Sequence, residues 1–132
     1  MKKSINVFLI LVFNFVFVSI GFAQTGKDLI PKVTFVELGS VNCIPCKKMQ
    51  PVMKAIEKKY GDQIKVVFHD VWKEDQKQYA SMYKIKLIPT QVFLDAEGKE
   101  FYRHEGFYPE SEIDKLLIKK GLVAAVKKDS DD

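Results

Sequence analysis

Residues 33–53 read VTFVELGSVNCIPCKKMQPVM. Val33–Leu38 is a β-prone run of strand length, and Gly39-Ser40-Val41-Asn42 is a turn. After Cys43 the period changes. Met49, Met53, Ile56 and Tyr60 follow at spacings of 4, 3 and 4, the repeat of one helical face. Gly61-Asp62 ends that helix. A strand therefore runs almost directly into a helix, with Cys43 and Cys46 at the junction.

These are the only cysteines among 132 residues. A bridge between positions so close in sequence closes a tiny loop and hardly constrains the unfolded chain. Stapling the fold is a poor use for such a pair, and redox chemistry is a better one. A helix N-terminus presents free backbone N–H groups and a partial positive charge. A thiolate placed there is stabilised, and its pKa falls below the ordinary ~8.5. Cys43 is the expected exposed nucleophile, forming a mixed disulfide with a client. Cys46, one helical turn on, is expected to attack Cys43 and release the reduced client. Zinc would need two further ligands. Only His69 and His104 could supply them, and each stands alone, so no metal is expected.

The remaining elements follow outward from the junction. Ile64–Phe68 is a second strand, and Lys73–Tyr83 a second helix with Tyr79, Met82 and Tyr83 on one face. Thr90–Leu94 is a third strand. Asp95-Ala96-Glu97-Gly98 is a hairpin turn into a fourth strand, Lys99–Arg103. Pro109 opens a last helix with Glu110 and Glu112 in its first turn. Its buried stripe is Ile113, Leu116 and Leu117, and Gly121 follows its end. Two strands joined through a helix should be parallel with a right-handed crossover. The expected class is α/β, with a mixed four-stranded sheet and helices on both faces. Trp72 and the Tyr79/Met82/Tyr83 stripe are expected to pack in the interior. Lys47-Lys48 and Lys58-Lys59 are expected to be solvated.

Residues 1–23 differ from the rest. Lys2 and Lys3 precede an almost wholly apolar run from Ile5 to Ala23, and Gly21-Phe22-Ala23 offers small residues at a signal-peptidase site. This predicts a secretory signal peptide over 1–23 and a single domain over 24–132. The alternative is an uncleaved anchor, because the run approaches the ~20 residues that span a bilayer. Either way the domain is expected outside the cytoplasm, periplasmic or secreted. Loss of the leader removes two lysines and no acid, so the formal charge falls from +4 to +2. That surplus is too small to indicate nucleic acid as a partner.

The chain resembles the thioredoxin family from about Lys32 to Lys120. Cys43-Ile44-Pro45-Cys46-Lys47 matches the family's active-site loop, and Pro51 the proline of its active-site helix. Ile88-Pro89-Thr90 matches the cis-proline loop, and Gly98 and Gly106 match two further glycines. The resemblance implies a trimmed thioredoxin fold, a redox-active Cys43–Cys46 disulfide in place of any cofactor, and a cis Ile88–Pro89 bond against that disulfide. It implies that Ile44 and Pro45 contact clients, together with Ile88, Pro89 and Thr90. Gly106 and Phe107 complete that expected surface. Glu37 stands where the family usually has an aspartate that accepts the proton of the second cysteine. A carboxylate in a strand covered on both faces is costly to bury and tends to keep its proton. The alternative is a strand-end Glu37 that reaches solvent. Asn42 and Gly39 replace two tryptophans of the family, and an apolar rim of Ile44, Ile88 and Phe107 is expected to substitute for them.

The resemblance implies a thiol–disulfide oxidoreductase acting on client proteins as a monomer. The spacer lacks the histidine found in strong oxidants of the superfamily, and Glu37 adds negative charge nearby. Both favour a reducing role, with a membrane thiol transporter as electron donor. The alternatives are a disulfide-donating oxidant and a non-catalytic binding module.

Overall fold

A computed structural model describes residues 30–125. The expected leader over 1–23 lies outside the described residues. The elements are β1 (Val33–Gly39), α1 (Ile44–Tyr60), a 3-10 turn (Gly61–Gln63), β2 (Ile64–Asp70), α2 (Gln78–Met82), β3 (Thr90–Asp95), β4 (Glu100–Glu105) and α3 (Glu110–Lys119). The four strands form one sheet in the order β2-β1-β3-β4. β1 pairs in parallel with β2 and antiparallel with β3, and β3 and β4 form an antiparallel hairpin. The expected mixed sheet is present, with β1 paired on both sides.

Side chains alternate across a strand, so β1 serves two cores. Val33 and Phe35 pack under α1 and α3 with Met49, Met53, Ile56, Ile113 and Leu117. Val36 and Leu38 face the other way, onto Val71, Val92 and the α2 region. Burial of each large apolar side chain contributes roughly 1.5–3 kcal/mol. The α1 stripe read from the sequence is the set of α1 residues that is buried, apart from Cys46.

Three expectations require correction. The second helix covers only Gln78–Met82, and residues 73–77 form turns. Lys73-Glu74-Asp75-Gln76-Lys77-Gln78 carries no apolar side chain, so a helix there would have no face to pack, and packing is what sustains short helices. Gln76 instead turns inward and accepts from Asp70 N at 3.1 Å. Met82 is 66% exposed, while Ala80 and Ile85 join Tyr79 and Tyr83 against the core. Lys59 is not merely solvated. It ion-pairs with Glu110 and Asp114 of α3.

Candidate active site

The end of β1 sets the position of the cysteines. Cys43 is the N-cap of α1, and its Sγ accepts from Cys46 N at 3.4 Å. The two cysteines are joined in a disulfide with Cα atoms 5.2 Å apart. Pro45 lies in the first turn of α1, where its missing N–H costs nothing. Cys46 is fully buried. Cys43 retains 8% exposure, less open than expected but still the more accessible of the two residues. Ile44 between them is exposed.

The turn before Cys43 is held by a buried carboxylate. Asp70, at the end of β2, accepts from Val41 N at 3.3 Å and from Trp72 N at 3.2 Å. Ser40 adds a second tie, accepting from Asn42 N through Oγ and from Cys43 N through its carbonyl. Gly39 meets Cys46 at close range. A Cβ there would lie 3.2 Å from both Cβ and Sγ of Cys46. The glycine lets the buried sulfur settle directly on the strand.

Glu37 shares that face of β1, one step back from Gly39. It is fully buried, and neither carboxylate oxygen has a hydrogen-bond partner among the described residues. Burial pushes its pKa up to about 8. Gln91, its register partner on β3, works against that shift from alongside. The Gln91 amide nitrogen donates to Gly106 O at 3.1 Å and makes no well-formed bond to the acid. Near neutral pH the group is therefore mostly a neutral acid in this disulfide state. It does not reach solvent at the strand end.

Two loops complete the surface. The Ile88–Pro89 bond is cis. Pro89 O accepts from Gly106 N at 2.7 Å, which ties the proline loop to the loop after β4. Gly106 has φ of +91°, a conformation that favours glycine. Thr90 Oγ1 donates to Leu87 O at 2.7 Å. Phe107 is exposed, and Ile88 is half-buried.

A family model described as "Thioredoxin-like domain" matches residues 22–121. The chain belongs to the thioredoxin family. Thioredoxin of Bacillus subtilis is 31% identical over 77 residues, covering 58% of this chain and 71% of that protein. Chloroplastic Thioredoxin Y of Oryza sativa is 32% identical over 82 residues, covering 62% of this chain but only 47% of the relative. Among solved structures, thioredoxin NaTrxh from Nicotiana alata aligns with a TM-score of 0.58 at 30% identity, over 70% of this chain and 76% of that one. The germline-specific thioredoxin Deadhead of Drosophila melanogaster aligns with a TM-score of 0.60 at 25% identity, over 70% and 85% of the two chains. With its Cys43-x-x-Cys46 disulfide, this member is a thioredoxin-like thiol–disulfide oxidoreductase.

The thioredoxin fold brings most of the sequence-derived site residues to the same end of the sheet. Cys43, Ile44, Pro45 and Cys46 lie at the start of α1, and Glu37 lies behind them on β1. Pro89, between Ile88 and Thr90, is joined to Gly106 by one hydrogen bond, with Phe107 next in the chain. Sequence reasoning missed Asp70, Gln91 and Trp72. Trp72 is 62% exposed beside the Val41 turn, not packed in the interior. Gln91 carried the same signal as Glu37, a long polar side chain in a central strand, and it went unread.

Proposed function

We propose that this thioredoxin-family domain is an exported reductase of protein disulfides. The observation that carries the reading is the Cys43 sulfur at the N-cap of α1, with Cys46 sealed beneath it against Gly39. In the reduced protein the Cys43 thiolate gains from the helix terminus and attacks a client disulfide. Cys46 then attacks Cys43 Sγ. The Cys43–client bond breaks, the Cys43–Cys46 bond forms, and the client sulfur leaves as a thiolate. Glu37 accepts the Cys46 proton. Ile44, Pro45, Ile88 and Phe107 supply apolar contact to the client, and the Pro89–Thr90 edge pairs with its backbone as an added strand would.

The reducing direction rests mainly on the spacer. Ile44-Pro45 offers no imidazolium to stabilise a reduced thiolate. The expected charge effect of Glu37 is weaker at neutral pH than its sequence position suggests, because the buried acid holds its proton up to about pH 8. The apolar run over 5–23 supports a site of action outside the cytoplasm, where reductase turnover would draw on a membrane thiol transporter as electron donor. Insulin reduction with dithiothreitol as donor tests the enzyme reading. Residues 24–132 should accelerate precipitation of the insulin B chain, and Cys43→Ser should abolish the acceleration. A parent protein no faster than dithiothreitol alone would leave only a binding module.

A further inference from the structure

One row across the α1 face of the sheet is polar. Glu37 on β1 pairs with Gln91 on β3, and Gln91 pairs with His104 on β4. Register partners project to the same face, so the row runs from the middle of the sheet to its edge. Two residues along, the corresponding row is Phe35, Phe93 and Tyr102. Glu37 and Gln91 are fully buried, and His104 is half-buried with its ring nitrogen hydrogen-bonded to Phe107 O at 3.2 Å.

The hydrogen-bond inventory of this row is incomplete in a specific way. Gln91 Nε2 donates to Gly106 O. Both oxygens of Glu37 and Oε1 of Gln91 are buried without partners among the described residues. All three are acceptors when the acid is ionised. A single proton on Glu37 supplies the missing donor, and Gln91 Oε1 can take it. Beside Glu37 on β2 stands Phe68, its apolar register partner, and Cys46 packs on Gly39, two residues along the same face of β1. No described lysine or arginine forms an ion pair with Glu37. Beyond Gln91 the next titratable group in the row is His104.

We propose that Gln91 is a positioning residue for the proton that leaves Cys46, donating to the Glu37 carboxylate before the transfer and accepting the Glu37 O–H after it. The inference rests on Glu37 being the proton acceptor. The transfer converts the Cys46 thiol and the carboxylate into a thiolate and a carboxylic acid, and that thiolate displaces the client sulfur from Cys43. An amide serves both states because it carries a donor and an acceptor, and its terminal torsion is soft. Gly106 fixes it in place. Since Gly106 N also donates to Pro89 O, the amide that handles the proton is bonded to the loops that hold the client.

The test is stopped-flow resolution of a mixed disulfide between Cys43 and thionitrobenzoate, followed from pH 6 to 10. Parent, Gln91→Leu, Gln91→Met, Glu37→Gln and Glu37→Gln/Gln91→Leu are compared. The carboxylate form loses more than the neutral acid when its donor is removed. Both Gln91 variants should therefore move the midpoint of the pH profile upward by about one unit, which is a roughly tenfold slower resolution at pH 7. The rate of Cys43 attack on a small disulfide should stay within about twofold of the parent. In the Glu37→Gln background, Gln91→Leu should add no further shift. In the oxidised proteins, the carbon-13 shift of the Glu37 carboxyl should titrate with its midpoint raised by the same amount. Unchanged midpoints in both Gln91 variants, with Glu37→Gln slow, would overturn the role of Gln91 and leave that of Glu37 standing. A parent-like profile for Glu37→Gln would overturn both.

Discussion

Cys43 and Cys46 share a helix end but not an environment. Cys43 caps the helix at the surface, while Cys46 is sealed between α1 and Gly39. In the reduced protein, iodoacetamide should therefore alkylate Cys43 much faster than Cys46, and peptide mapping at short times reads the difference. Equal rates would contradict the assignment of roles. Cys46→Ser should accumulate mixed disulfides with clients. Glu37 makes a second residue-scale prediction. Its pKa is about 4.5 as an ordinary glutamate and about 8 when buried here. The folded protein holds this proton more tightly than the unfolded chain does. The resulting stabilisation is complete below pH 4.5 and is lost as pH rises through 8. Glu37→Gln does not titrate, so its stability relative to the parent should rise steadily from pH 5 to pH 8, by roughly 1.4 kcal/mol per unit at most. Urea unfolding at pH 5, 6.5 and 8 checks this, and a constant difference would show that Glu37 is not protonated in the fold. The same residue should govern resolution. Glu37→Gln should slow that step on the order of 100-fold above pH 8, where the parent carries the base.

At the scale of elements, the approach of α1 to β1 is the contact on which the site depends. Gly39→Ala would place a methyl 3.2 Å from Cys46 Cβ and Sγ, both anchored in the first turn of the helix. The first turn of the helix has to give by a few tenths of an ångström, at a cost of no more than about 1–3 kcal/mol, and thermal melting of the oxidised protein measures it. Lys59→Met should cost no more than about 1 kcal/mol, because its pairs with Glu110 and Asp114 are partly solvated. The strands, α1 and α3 were legible because their period, breakers and capping signals agree. The α2 region was not. Its residue types allow a helix, but Lys73–Gln78 offers no apolar face, and composition alone does not reveal that Gln76 is drawn inward to the end of β2. Glu37 was legible as a charge in a doubly covered strand. Gln91 carried the same signal, but its pairing with Glu37 depends on strand register, which is a tertiary fact. Trp72 was hidden for a related reason. Its backbone N–H is held by the Asp70 carboxylate, which also accepts from Val41 of the neighbouring turn, and its side chain stands in solvent.

At the scale of the molecule, the described residues begin their regular structure with the strand that leads into the cysteines, so the sheet has four strands with β1 between β2 and β3. This arrangement buries β1 on both faces and makes Glu37 costly, which is the reason to assign it work. It also leaves the disulfide at one end of the sheet with the cis-proline loop and the Gly106–Phe107 loop. The direction of electron flow is then decided by the relative stability of dithiol and disulfide. The helix N-cap favours the Cys43 thiolate and makes the protein more oxidising, while the spacer without histidine leaves that thiolate less favoured than in a strong oxidant. The most direct test is the reduction potential of the Cys43–Cys46 couple, measured at pH 7 by equilibration against glutathione or dithiothreitol buffers. A reductase should show a value near that of reducing thioredoxins, about −270 mV, and a value near the ~−120 mV of strong disulfide donors would contradict the reducing direction.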